Sequence, residues 1–196
     1  MYVLPNDGEG RSSQAEPDTI PEKALTASDV MSQPAYTCQP DTDLSAVAKL
    51  MWRHDCGFVP VVDTAEHVVG IITRGNVVIA RETRRLLPEL ISAAQAMVVT
   101  IHSCLPDASV SDVLAMMKRF RVRRLIVIDS HLRPQGVVSI SDIVRAMAEG
   151  HLLNAMEIVS VMAAIGLSVP VAVARESPWR SSRPTVTLSA ACTALD

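Results

Sequence analysis

The stretch Gly136–Ala146, GVVSISDIVRA, carries a hydroxyl, Ser139, three residues before a carboxylate, Asp142. The apolar residues before the pair read as a strand and those after it as a helix, so the pair stands at a strand-to-helix turn. Such a turn either binds a ligand through its hydroxyl and carboxylate or caps a helix with them. Sixty-six residues upstream, Gly70–Ala80, GIITRGNVVIA, repeats the layout with Thr73 and with Asn76 in place of the carboxylate. A second concentration of chemistry lies at Lys118–Arg124, KRFRVRR, five basic residues in seven. Guanidinium groups suit phosphates, although basic residues ending a helix also complement its dipole and face solvent.

These residues are positioned by an internal repeat. A shift of 66 residues lays Met31–Val78 on Met97–Val144 without a gap. Met31/Met97, Cys38/Cys104, Pro40/Pro106, Asp41/Asp107, Met51/Met117, Asp63/Asp129 and Gly70/Gly136 are identical pairs. Each copy opens with a short extended piece ending at Pro40 or Pro106, then a helix capped by Asp43 or Ser109. The helix has one apolar stripe, Leu44, Val47, Ala48 and Met51, or Val110, Val113, Leu114 and Met117. The apolar runs FVPVVD and RLIVID read as strands buried on both faces. A second strand, VVGIIT or QGVVSI, and a closing helix from near Arg74 or Ser141 complete a β-α-β-β-α unit. The fold class is α/β (α+β), two such repeats packed sheet on sheet with pseudo-two-fold symmetry. Clefts at that junction are where a small molecule would bind.

Composition agrees with this organisation. A hydrophobic share of 48% in 196 residues supplies a core and excludes global disorder. A net charge of −3 gives no general argument for nucleic acid or an anionic membrane as partner. The four cysteines form no C-x-x-C pair, which argues for reduced cytosolic thiols and against structural zinc; Cys38 and Cys104 could approach each other across the pseudo-dyad. The five histidines lack ligand spacing, and no nucleophile, P-loop or zinc-protease motif is present, so no catalytic or metal residues are assigned. The start lacks a secretory pattern. Leu152–Ala174 is apolar but contains Glu157 and Pro170, so an amphipathic helix over Leu152–Ile165 is expected rather than a membrane span. The expected divisions are a flexible leader (1–25), the first repeat (26–85), the second (86–150), an added helix (151–166) and a loose tail (167–196).

With its repeated motifs in this order, the chain resembles a tandem pair of cystathionine β-synthase (CBS) domains, a Bateman module, of the small stand-alone bacterial type. The resemblance spans Ala27–Glu149 and rests on DVM at Asp29–Met31, TCQPDTDLSAVAKLM at Thr37–Met51, HDCGFVPVVD at His54–Asp63, GIIT at Gly70–Thr73, VRRLIVID at Val122–Asp129 and GVVSISDI at Gly136–Ile143. It implies a regulatory, non-catalytic, cytoplasmic homodimer that acts on an unknown effector protein. It further implies an adenosine-containing ligand (AMP, ADP, ATP or S-adenosylmethionine) and no other cofactor. In the family's pattern Asp142 would accept from ribose hydroxyls and Ser139 would donate to phosphate, near Arg123 and Arg124, with Thr100 and Ile101 lining the base pocket. Thr37, Thr73 and Asn76 would form a weaker second site, because an amide lacks the carboxylate's charge. The alternatives are a ligand-free oligomerisation module and a nucleic-acid binder using Lys118–Arg124. Only Phe120 offers base stacking in that run, which makes nucleic acid the weaker alternative.

Overall fold

The computed structural model describes residues 24–151, 154–166 and 186–188. The leader expected over 1–25 and the tail expected over 167–196 therefore lie almost wholly outside the described residues.

A single helical turn, α1 (Ala27–Val30), precedes the first repeat. Helix α2 (Leu44–Arg53) starts where Asp43 accepts from the Ala46 amide at 2.8 Å, and it buries Leu44, Val47 and Met51. That spacing is one helical face, as the apolar stripe predicts. Strand β1 (Phe58–Val62) is buried at every position and pairs antiparallel with β2 (Val68–Thr73), which leads into α3 (Arg74–Arg84). A 3-10 turn (Pro88–Leu90) and α4 (Ala93–Ala96) carry the chain to the second repeat. There follow β3 (Ile101–Cys104), α5 (Val110–Phe120), β4 (Arg124–Ile128), β5 (Pro134–Ser139) and α6 (Ile140–Ala148). Helix α7 (Ala155–Gly166) lies against α5. A last strand, β6 (Val186–Leu188), pairs parallel with β3.

The second copy realises the full β-α-β-β-α order. In the first copy the leading strand shrinks to one parallel bridge, Cys38 to Val61, at the position of the Cys104–Val127 pair. The closing helix of the second copy begins at Ile140, one residue before the expected Ser141, because Ser139 takes the N-cap. Helices α1 and α4 were not legible: four residues carry no periodicity.

The two copies exchange their leading arms. Thr26 bridges to Ser109 and Ser92 to Asp43; Ser32 bridges to Val137 and Val98 to Ile71. Each second bridge is the first moved by the 66-residue repeat. The exchange explains both repeated glycines. A Cβ on Gly136 would lie 2.5 Å from the Met31 sulfur, and one on Gly70 would lie 2.5 Å from the Met97 sulfur.

Each copy has its own core. Between the sheets lies a third cluster, with Phe58, Val62 and Val68 from one side and Ile101, Ile126 and Ile128 from the other. This sheet-on-sheet contact is the junction the repeat implies. The cysteine pairing considered above does not form. Cys38 and Cys104 are buried in separate cores, and desolvation pushes each thiol up to about 12.

Candidate functional site

The strand-to-helix turn of the second copy is a reciprocal cap. The Ser139 backbone N–H and hydroxyl both donate to Asp142 Oδ2, at 2.9 and 2.5 Å, and the Asp142 N–H donates back to Ser139 Oγ at 3.3 Å. The other carboxylate oxygen, Oδ1, accepts from Ser32 Oγ at 3.0 Å and Arg145 Nη2 at 2.8 Å. A carboxylate offers about four acceptor positions. All four are taken by the protein, and the aspartate is only 7% exposed.

The equivalent turn of the first copy is capped likewise but less fully. The Thr73 N–H and hydroxyl donate to Asn76 Oδ1 at 2.8 and 2.6 Å, and the Asn76 N–H returns to Thr73 Oγ1 at 3.3 Å. The arm residue equivalent to Ser32 is Val98, which has no hydroxyl to offer. Thr37 is half-buried. The two turns therefore differ in charge and in the group the crossing arm presents.

Of the basic run, two residues come to the second turn. Arg124 lies opposite Ser139 in the β4–β5 pairing, and the Arg123 carbonyl accepts from the Ile140 N–H at 3.2 Å. Both arginines are exposed. The others are used elsewhere. Lys118 reaches Ser160 at 2.7 Å, Arg119 lies 5.3 Å from the centre of the Phe120 ring, and Arg121 ends α5 in the left-handed region (φ 54°).

Thr100 is exposed just before β3, whereas Ile101 is fully buried between the two sheets. Its side chain belongs to the core, so only its backbone could touch a ligand. Strand β3 pairs with β4 through Ser103–Ile126 and Cys104–Val127; carried back two residues, that register sets Ile101 beside Arg124. Strand β6 runs along the other edge of β3, with Ile101 opposite Val186. Among the described residues, the Ser103 hydroxyl is buried without a hydrogen-bond partner, as is His102 Nδ1. The His102 ring stacks on Phe120 at 4.2 Å, and burial lowers its pKa.

Sequence reasoning missed Ser32 and Arg145. Arg145 has a signal, since it lies three residues after Asp142 on the same helix. Ser32 has none, because the arm exchange brings it from 110 residues away. Two concavities among the described residues lie elsewhere: a groove of about 700 Å³ between α2 and α3, and one of about 310 Å³ near Asp41, Asp43 and Glu89. Among the described residues, no group of His, Cys, Asp or Glu could hold a metal ion, and no helix is long and apolar enough to cross a membrane.

Two β-α-β-β-α copies, joined sheet to sheet and each entered by an exchanged arm, define a tandem-repeat α+β module. The chain belongs to the CBS domain family, whose pattern matches residues 27–82 and again 93–149. Hypoxic response protein 1 of Mycobacterium tuberculosis is 31% identical over 125 residues, which is 63% of this chain and 86% of that protein. The solved structure of Hypoxic Response Protein I with two coordinated zinc ions superposes with a TM-score of 0.56 at 29% identity, covering 66% of this chain and all of that one. The CBS domain pair of protein MJ0100, solved with 5'-methylthioadenosine and S-adenosyl-L-methionine, has the same fold. Its TM-score is 0.58 at 23% identity, covering 65% of this chain and 99% of that one.

Proposed function

We propose that this CBS pair is a regulatory module that takes an adenosine-containing ligand at the second-copy turn and acts on a separate effector protein. The observation that carries the reading is the environment of Asp142. Its Oδ2 is committed to the cap, while its Oδ1 holds two replaceable partners, the Ser32 hydroxyl and the exposed Arg145. A ribose diol would displace those two donors and keep the cap. Arg123 and Arg124 stand ready for phosphate at the same turn, and the Ser103 hydroxyl, without a partner among the described residues, offers a buried donor on β3. A CBS pair of the same fold was solved with two adenosine compounds, which supports this ligand class. The first-copy turn, with Thr37, Thr73 and Asn76, is the weaker site for want of a charge.

Ligand exchange at Oδ1 supplies a mechanism. Ser32 belongs to the arm that crosses between copies, so a ligand replacing it favours a different seating of that arm. Ligand can shift the population only by the difference in its affinity for the two seatings. The module is read as a cytoplasmic homodimer that performs no chemistry itself.

Calorimetric titration with AMP, ADP, ATP and S-adenosylmethionine, beside Asp142→Ala, tests the reading. Binding that the variant loses supports it. Binding that the variant keeps moves the site away from this turn. No binding by either protein leaves an interaction module without a ligand.

A further inference from the structure

The start of β3 is paired mainly from its outer side. The ladder to β4 joins Ser103 to Ile126 and Cys104 to Val127, so it begins only at Ser103. Ile101, His102 and Ser103 pair in parallel with Val186, Thr187 and Leu188 of β6. The sheet order is β5-β4-β3-β6, which makes β6 its outer strand, supplied from far along the chain. In the first copy the corresponding leading segment has the single bridge from Cys38 to Val61, and among the described residues no strand is added outside it.

The end of β3 that β6 covers is the end nearest the Ser139–Asp142 turn. Ser139 lies opposite Arg124 in the β4–β5 pairing, the β3–β4 register carried back two residues sets Ile101 beside Arg124, and Val186 lies opposite Ile101. These four positions form one line across the sheet. Neighbouring strands lie about 4.8 Å apart, so three spacings make the line roughly 14 Å long. A ligand held at Asp142 by its ribose has the start of β3 for its base. The Ile101 side chain is fully buried, which leaves backbone N–H and C=O groups to meet that base. A strand edge presents a row of such groups, and a partner that takes them excludes another.

We infer that β6 is an autoinhibitory strap: it occupies the backbone edge at the start of β3 that the base of the ligand would use, and it must leave before the second-copy site fills. The strap rests on the adenosine-ligand reading above and adds its regulation. A ladder of three residues makes few bonds, and the β3–β4 and β4–β5 pairings do not involve it. It can therefore lift away while the sheet beneath stays formed. While seated, it reduces the apparent affinity by the fraction of molecules in which it is off. The two copies thus differ twice: the second has the charged turn and the strap, whereas the first has the uncharged turn and, among the described residues, an open edge.

Calorimetry with AMP and with S-adenosylmethionine tests this on the unaltered full chain and on the full chain carrying Val186→Pro together with Thr187→Pro. Proline has no N–H, and of two successive strand residues one points its N–H at the neighbouring strand, so the pair unseats β6 and leaves the turn untouched. The expected result is binding at least about fivefold tighter in the variant, or binding by the variant alone. Equal or weaker binding in the variant overturns the strap and leaves the ligand reading standing. No binding of either probe by either chain overturns the strap and the ligand reading together. Hydrogen exchange on the unaltered chain gives a second readout that needs no substitution. Saturation with a probe that binds should speed exchange of the Val186–Leu188 amides by at least about fivefold. Amides equally or better protected in the bound state overturn the strap, because β6 then stays seated beside the ligand.

Discussion

Ser32 donates a hydrogen bond to Asp142 at 3.0 Å across 110 residues of sequence. The bond joins the arm before the first copy to the closing helix of the second. It fills the acceptor position that a ligand at this turn would need. In the function proposed above, the pair would link occupancy of the turn to the seating of the arm.

Ser32→Ala removes this competitor and leaves the Ser139–Asp142 cap in place. The lost bond costs stability of about 1 kcal/mol or less, since Ser32 is exposed. Adenosine-ligand affinity should rise, by roughly two- to tenfold, because one fewer protein donor must be displaced. Parallel chemical denaturation and calorimetry check both halves. Weaker binding would mean that Ser32 contacts the ligand rather than competes with it.

Asp142→Asn makes the second turn resemble the first. The amide oxygen can still take the Ser139 donors, as Asn76 takes those of Thr73. The Arg145 ion pair and the negative charge at the helix start are lost, so stability should fall by about 1 kcal/mol. Ligand affinity should fall by about tenfold or more, because charged acceptors make the stronger bonds. A thermal melt and a titration of the same preparation separate the two effects.

Gly136→Ala and Gly70→Ala should differ in cost. At Gly136 the new Cβ meets the Met31 side chain and also the Ser32 backbone oxygen at 2.9 Å. At Gly70 the three nearest atoms all belong to the Met97 side chain; its sulfur can turn away, and Cβ at 3.2 Å must give by only a few tenths of an ångström. Gly136→Ala should therefore destabilise by about 1–3 kcal/mol, and Gly70→Ala by less. Urea midpoints of the two variants, compared at constant slope, decide it.

The repeat, its helices and its buried strands were legible because each leaves a periodic trace. Asp43 and Ser109 cap the helices they precede, and FVPVV is buried throughout. What escaped depends on contacts between distant segments. The arm exchange that brings Ser32 to Asp142 and Met31 to Gly136 has no local signature. The repeat hinted at it only through the matched methionines and glycines. Burial of Ile101 between the sheets follows from register and not from its neighbours in sequence. The tail had no readable pattern, yet Val186–Leu188 extends the sheet at β3. A three-residue edge strand borrows its order from the strand it joins.

Stability should fall at alkaline pH through the two core thiols. Burial raises the pKa of Cys38 and Cys104 from the ordinary 9.0 to about 12 in the folded chain. Below pH 9 both states keep their protons and the thiols contribute no pH dependence. Between pH 9 and 12 the unfolded chain ionises them while the folded chain does not, so unfolding gains. Each thiol then removes on the order of 1.4 kcal/mol per pH unit. Urea denaturation at pH 8, 9, 10 and 10.5 should show a decline that begins near pH 9. Replacing both cysteines with alanine should remove that share of the slope at the cost of a lower plateau. The same burial predicts that a thiol reagent at pH 8 labels half-buried Cys56 well before either core cysteine. Labelling of Cys38 or Cys104 at the rate of Cys56 would show that the cores open locally far more often than their packing implies.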